Sequence, residues 1–140
     1  LPTLNGWWQG RDIDWNARLG LVDANGEIDW RRHREREREG LRDALRQDPQ
    51  NFREESHEAD QVVDASVRFL GHTRAPLVLL PLEDALGLEE QANLPGTVDT
   101  HPNWRRRFAL PAAQLLDDSD AARRLELLAQ AREQAFERDR

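Results

Sequence analysis

The chain has 140 residues, 38% apolar and 34% charged, no cysteine, and a net charge of −7. That length suits one ordinary domain, and the charged share exceeds the roughly 25% of a typical globular domain, so the chain is rich in surface and lean in core. The acidic balance argues against nucleic acid, which selects a basic stripe; no apolar run approaches the roughly 20 residues that span a bilayer; disulfides and thiolate chemistry are excluded.

All 20 basic residues are arginine, methionine is absent, and the chain opens on Leu1-Pro2-Thr3-Leu4. It reads as a segment of a longer product, treated as one unit over 1–140. No basic-then-apolar leader stands at its front, and a soluble cytoplasmic protein is the expectation. Residues 1 to 29 read as mostly irregular, punctuated by Gly6, Gly10, Gly20 and Gly26, with Asn25-Gly26 as a tight-turn signal. Asp29 is placed to cap a helix running to about Gln47 and closed by Asp48-Pro49, with Trp30, Leu41, Ala44 and Leu45 as its packing stripe. Its alternating run from Arg34 to Glu39 sets opposite charges three apart and like charges four apart. Each such pair is worth about 0.2–0.5 kcal/mol, so the terms nearly cancel, and the run reads as a solvated face.

A second helix is expected from about Ser56 to Leu70, with Ala59, Val62, Val63, Ser66, Val67 and Leu70 at helical spacing and Gly71 as its stop. The period then changes. Leu77-Val78-Leu79-Leu80 is a continuous apolar run between Pro76 and Pro81-Leu82, the pattern of a strand buried on both faces. No second strand of that quality follows, so such a strand needs neighbours from elsewhere. A short helical turn at 83–88, the loop Asn93-Leu94-Pro95-Gly96-Thr97, the segment Asn103-Trp104-Arg105-Arg106-Arg107, and an amphipathic tail helix from about Asp118 to Arg138 complete the chain. Ala121, Leu125, Leu128, Ala135 and Phe136 share one side of that tail helix.

Few motifs point to chemistry by themselves. There is no phosphate-binding glycine loop, and without lysine no Walker lysine. Glu54-x-x-His57 is a single copy of a motif that carboxylate-bridged metal sites use twice. His33, His72 and His101 complete no ligand set and read as ordinary surface histidines. Asp23 to Glu27 fails the register of a calcium loop, and no Gly-x-Ser-x-Gly elbow is present. No metal and no cofactor is expected.

Four segments in order carry more: LPTLNGWWQGRDI (1–13), PLEDALGL (81–88), NLPGT (93–97) and NWRRR (103–107). Together they resemble the C-terminal region of the amylomaltases, the 4-α-glucanotransferases or disproportionating enzymes, most strongly at 1–10 and 76–107. The resemblance implies a mostly helical piece with one or few strands. It would be the C-terminal portion of a (β/α)₈ TIM barrel, from the end of strand seven through strand eight (77–82) and the closing helices. It implies transfer of α-1,4-glucan segments between maltodextrins with retention, which uses a nucleophilic carboxylate and an acid/base carboxylate. Those two groups, and a third carboxylate in a His-Asp pair just before the Leu-Pro-Thr-Leu segment, fall upstream of Leu1 in the family pattern. No catalytic residue is therefore assigned, and the isolated chain is expected to be inactive. The partners implied are α-1,4-glucans and the upstream part of the same barrel.

Barrel sites lie at the C-terminal ends of the strands, which puts Glu83 and Asp84 at the rim. Asn93 is the leading substrate-binding candidate, because its amide both donates to and accepts from hydroxyls. Asp84 is a second, with a helix cap as its plainer role. Trp104 is a third, able to stack on a sugar ring or to be buried against the barrel; the same alternatives hold for Trp7 and Trp8. Arg105 to Arg107 are expected to pair with local acids. Two other readings stand beside this one: a non-catalytic helical interaction module, and a small glucan-binding domain resting on the tryptophans.

Overall fold

A computed structural model describes residues 1–48 and 58–137. Its regular elements are all helical. They are α1 (Leu4–Gln9), α2 (Arg11–Arg18), α3 (Ala24–Leu45), α4 (Glu58–Gly71), α5 (Leu82–Ala85), a 3-10 helix (Ala112–Asp117) and α6 (Ser119–Glu137).

The opening third is more ordered than its glycines suggest. Thr3 holds an extended backbone and its Oγ1 accepts the Gly6 N–H at 3.0 Å, which starts α1. Gly10 ends α1 in the left-handed region at φ 82°, and its N–H returns to the carbonyls of Gly6 and Trp7. α2 begins on the next residue, so one glycine turns the chain between two helices. Asp12 and Asp14 sit in the first turn of α2, where the helix dipole favours them.

α3 starts six residues earlier than the Asp29 cap implies. Asp23 is the cap, with extended backbone and an Oδ1 that accepts the Gly26 N–H at 2.8 Å. The capped first turn absorbs Asn25-Gly26, so that pair forms no tight turn. The expected stripe on α3 is half right: Leu45 is buried and Leu41 packs on the core, but Trp30 and Ala44 are exposed. Arg34, read as part of a solvated run, is buried instead. Its guanidinium grips both oxygens of Asp12 at 2.9 and 2.7 Å, donates to the Trp7 carbonyl, and lies 4.7 Å over the Trp7 ring. Arg38 and Arg42 stack likewise on Trp8, at 5.7 and 4.9 Å. The guanidinium plane permits this stacking, which adds cation–π attraction to the packing.

The apolar centre is small. Trp8, Leu45, Val62 and Ala65 form it, with Trp7, Leu41 and Ala59 against them. α4 and α6 pack closely because small residues meet: a Cβ added to Gly71 would lie 2.5 Å from the Ala131 Cβ and 3.1 Å from the Leu128 carbonyl. Gly71 thus serves as a contact within the last turn of α4 and not as a left-handed stop. On α6 the buried positions are Ala121, Arg124 and Ala131. Leu125 and Phe136, expected to face inward, are exposed. Arg124 takes the inward place and has no exposed surface. Its Nε donates to Asp64 at 2.9 Å, one Nη to Asp60 at 3.1 Å, and the other Nη to the Ala85 carbonyl at 3.0 Å. The N-terminal boundary of α4 near Ser56, the Pro49 stop and the Glu54–His57 pair lie outside the described residues.

The expected strand at 77–82 is absent. Residues 75–81 run without regular structure into α5, with Leu77 71% and Leu79 76% exposed. A strand exists only as part of a ladder, and no described segment offers this one an edge. The accessible surface of the chain, 9582 Å², exceeds the roughly 7,500 Å² that surface–mass scaling gives a 16.2 kDa compact monomer. Among the described residues no helix is long and apolar enough to cross a membrane.

Arg124→Ala should cost about 3 kcal/mol in urea-induced unfolding, the low end for stranding a buried ion pair, because Asp60 and Asp64 are 41% and 23% exposed and regain water. A loss within the roughly 0–1 kcal/mol of a surface pair would show that the guanidinium is hydrated in solution.

Candidate functional site

Two segments far apart in the chain build one rim. α1 and the start of α2 supply one side, and the stretch from α5 to Arg106 supplies the other. The Leu4 N–H donates to Asp84 Oδ1 at 2.7 Å, and Asn5 Nδ2 donates to the Gly87 carbonyl at 2.6 Å. Gly6 allows the approach: a Cβ there would lie 2.0 Å from the Glu89 carbonyl oxygen. Gln9 and Arg11 each donate to Glu89 at 2.8 Å, and Trp15 Nε1 donates to Glu90 at 2.9 Å. Arg106 pairs with the same Glu90 oxygen at 3.0 Å.

These contacts set the local electrostatics. The hydrogen bond from Gln9, then that from Arg11, holds the Glu89 carboxyl below its ordinary range. Arg11 is in turn held above its own ordinary value, chiefly by its hydrogen bond to Glu89. Asp84 moves the other way. Burial raises its carboxyl above the ordinary range, outweighing the Leu4 N–H that favours the charged form.

Beside this rim lies a cavity of about 480 Å³, lined among others by Glu83, Trp104, Arg106, Arg107 and Phe108. Trp104 is 78% exposed and holds a left-handed backbone, φ 57°, with its N–H fixed to the Ala92 carbonyl at 2.8 Å. A bulky residue in that region is an outlier. The cavity offers aromatic faces together with carboxylate and guanidinium groups, a set that suits a neutral, hydroxyl-rich ligand. Among the described residues no group of three or more acidic or histidine side chains is arranged to hold a metal ion.

The three sequence-derived candidates part company here. Trp104 lines the cavity and is not buried. Asn93 lies next to the lining residue Ala92; its carbonyl accepts from Gln91 Nε2 at 2.8 Å, and its side-chain amide has no hydrogen bond among the described residues. Asp84 lies outside the cavity lining and is no cap of its own helix, since Pro81 occupies the cap position and the carboxylate serves Leu4 instead. Trp8 is buried, and Trp7 is half-buried against the core. Arg105 and Arg106 pair with Asp99 and Glu90, at 3.1 and 3.0 Å. Sequence reasoning passed over Phe108, and it misplaced His101, which is wholly buried and edge-on to Trp15 at 4.8 Å. The only local signal for His101 was its position between two of the recognised segments.

A helical scaffold that braces a loop-built rim is what fold and site define. A family model described as 4-alpha-glucanotransferase matches residues 1–112, and the chain belongs to that family. A 4-alpha-glucanotransferase of Mycobacterium tuberculosis (strain ATCC 25618 / H37Rv) is 40% identical over 76 residues, covering 53% of this chain and 10% of the relative. The Mycobacterium bovis enzyme of the same name gives the same figures. One from Haemophilus influenzae is 28% identical over 123 residues, covering 81% of this chain and 17% of the relative. The chain thus spans between a tenth and a fifth of the length of the curated relatives it matches. No solved structure matches it significantly.

Asp84→Asn keeps an acceptor for the Leu4 N–H and removes the charge that burial disfavours. A raised carboxyl contributes stability that is present below its unfolded pKa, taken as 3.8, and lost as pH rises through the folded value. The variant should therefore melt at or above the parent at pH 7, with the gap closing as the pH falls toward that value. A variant that melts well below the parent at pH 7 would place the Asp84 charge in a favourable pairing.

Proposed function

We propose that this chain is the closing portion of a glucan-transferring (β/α)₈ barrel. In that setting it helps move α-1,4-glucan segments between maltodextrins with retention. The observation that carries the proposal is the family match over 1–112. Two structural features support it. The 1–13 and 81–88 segments that bear the resemblance pack on each other, and Leu77 and Leu79 of the apolar stretch lie exposed without a sheet.

In this reading Leu77 to Leu82 pair with upstream strands as strand eight. Asn93 presents its free amide to sugar hydroxyls, and Trp104 offers its exposed face to a pyranose ring. Asp84 holds the rim through Leu4 and is the weakest of the three as a sugar contact. The nucleophile, the acid/base and the third carboxylate belong to the upstream part, so the isolated chain is inactive. The reaction uses no metal or organic cofactor, and the enzyme works in the cytoplasm. The all-helical character of the described residues favours one rival, a non-catalytic helical interaction module.

Glucose release from maltotriose separates the two. The chain alone and the upstream part alone should release none, and the co-expressed halves should release it. Release by the chain alone overturns the assignment of the catalytic groups to the upstream part. A dead mixture, with the chain alone melting cooperatively as a monomer, makes the helical module the better account.

A further inference from the structure

The loop that carries Asn93 is held by a hydrogen-bond network of fixed polarity. Thr97 Oγ1 donates to the Leu94 carbonyl at 2.7 Å, so its lone pairs accept. Asn103 Nδ2 donates to that Oγ1 and to the Thr97 carbonyl, each at 2.9 Å. Asn103 Oδ1 must then be the acceptor end, and it receives the Leu94 N–H at 2.9 Å and His101 Nδ1 at 2.7 Å. His101 therefore carries a proton on Nδ1, and its Nε2 is buried and has no partner among the described residues. The imidazole itself is fixed by burial and by its edge-on contact with Trp15, whose Nε1 is tied to Glu90.

Both backbone groups of Leu94 are thus pinned, its side chain is buried, and the carbonyl of Asn93 is held by Gln91. The Asn93 side-chain amide has no hydrogen bond among the described residues. The arrangement fixes the loop backbone beside Asn93 and leaves its amide open to a ligand.

We infer that Asn103 and His101 are positioning residues, which act through the 93–97 loop to hold the Asn93 amide where a glucan hydroxyl meets it. The inference rests on the glucan reading above. His101 orients Asn103, Asn103 orients Leu94, and Asn93 follows; neither His101 nor Asn103 touches substrate.

The test uses the enzyme formed by this chain with its upstream part, and maltotriose as substrate. Asn103→Ala should lower kcat/KM by about tenfold or more, since small displacements of a contact are costly. In an Asn93→Ala background the same change should cost about twofold or less, because residues acting through one another are not additive. Asparagine places its nitrogen near the imidazole Nδ1 and glutamine near Nε2, so His101→Asn should retain more activity than His101→Gln. Additive losses, or better rescue by glutamine, would overturn the inference. The ¹⁵N shifts of His101 in the chain itself supply a separate readout, and should report the Nδ1–H tautomer. A different tautomer in an enzyme that transfers glucan overturns the inference alone. The right tautomer in an assembly that transfers nothing brings down the glucan reading and the inference with it.

Discussion

Arg124 is the point on which the rest of the chain depends. A guanidinium without any exposed surface joins α4 through Asp60 and Asp64, α6 through its own backbone, and the end of α5 through the Ala85 carbonyl. Charged groups this deep are disfavoured unless each donor is matched, and three donors here meet three acceptors on two other elements. The cost of desolvation is thereby turned into a positional constraint. Gly87 sharpens it: its backbone is left-handed at φ 66°, and a Cβ there would lie 2.6 Å from an Arg124 nitrogen. α5 and the turn after it, which lead into the rim, are set by a residue on the last helix. Arg123 adds a second guanidinium on Asp64, and its own pKa is lowered by burial first and by the Arg124 charge second. The two arginines compete, and the buried one holds the inner place.

The same device recurs at the other end of the molecule, which explains how so charged a chain builds any interior. Arg34 takes Asp12 in a two-pronged grip and stacks on Trp7, and Arg38 and Arg42 stack on Trp8. A lysine ammonium could supply charge at these places but neither the planar face nor the fork. Trp7 and Trp8 accordingly serve the junction of α1, α2 and α3.

Much of the helical outline was legible in the sequence, and the failures share a cause. The spacing of Val62, Val63 and Val67 placed α4, and the tail periodicity placed α6. Yet Trp30 and Leu125 were put inside and Arg34 outside, because hydropathy ranks a side chain by its own transfer cost and cannot see a partner arriving from another element. Asp23 was missed as a cap because Asn25-Gly26 is a stronger turn signal than a lone aspartate, until the aspartate captures the Gly26 N–H. At the rim, Trp104 lines the cavity, while Asn93 lies beside the lining residue Ala92. The buried His101 and the commitment of Asp84 to Leu4 depend on contacts across about 80 residues, beyond the reach of any local pattern.

The missing strand is the most telling of these differences. The 77–80 run has the composition of a strand buried on both faces, and a chain that carried its own sheet would hide it. Here Leu77 and Leu79 stand in solvent while the segments on either side are firmly placed, by Gly71 against Ala131 before it and by Arg124 on Ala85 after it. Local sequence and local surroundings therefore disagree at this stretch, between two well-anchored neighbours. Minimally frustrated sequences do not leave such conflicts unresolved. Resolution calls for strand edges on both sides, and the described residues supply none. Relatives in which the matched part is between 10% and 17% of the length have room to supply them. An apolar run left in solvent between anchored neighbours is in keeping with the proposal that a larger body completes it.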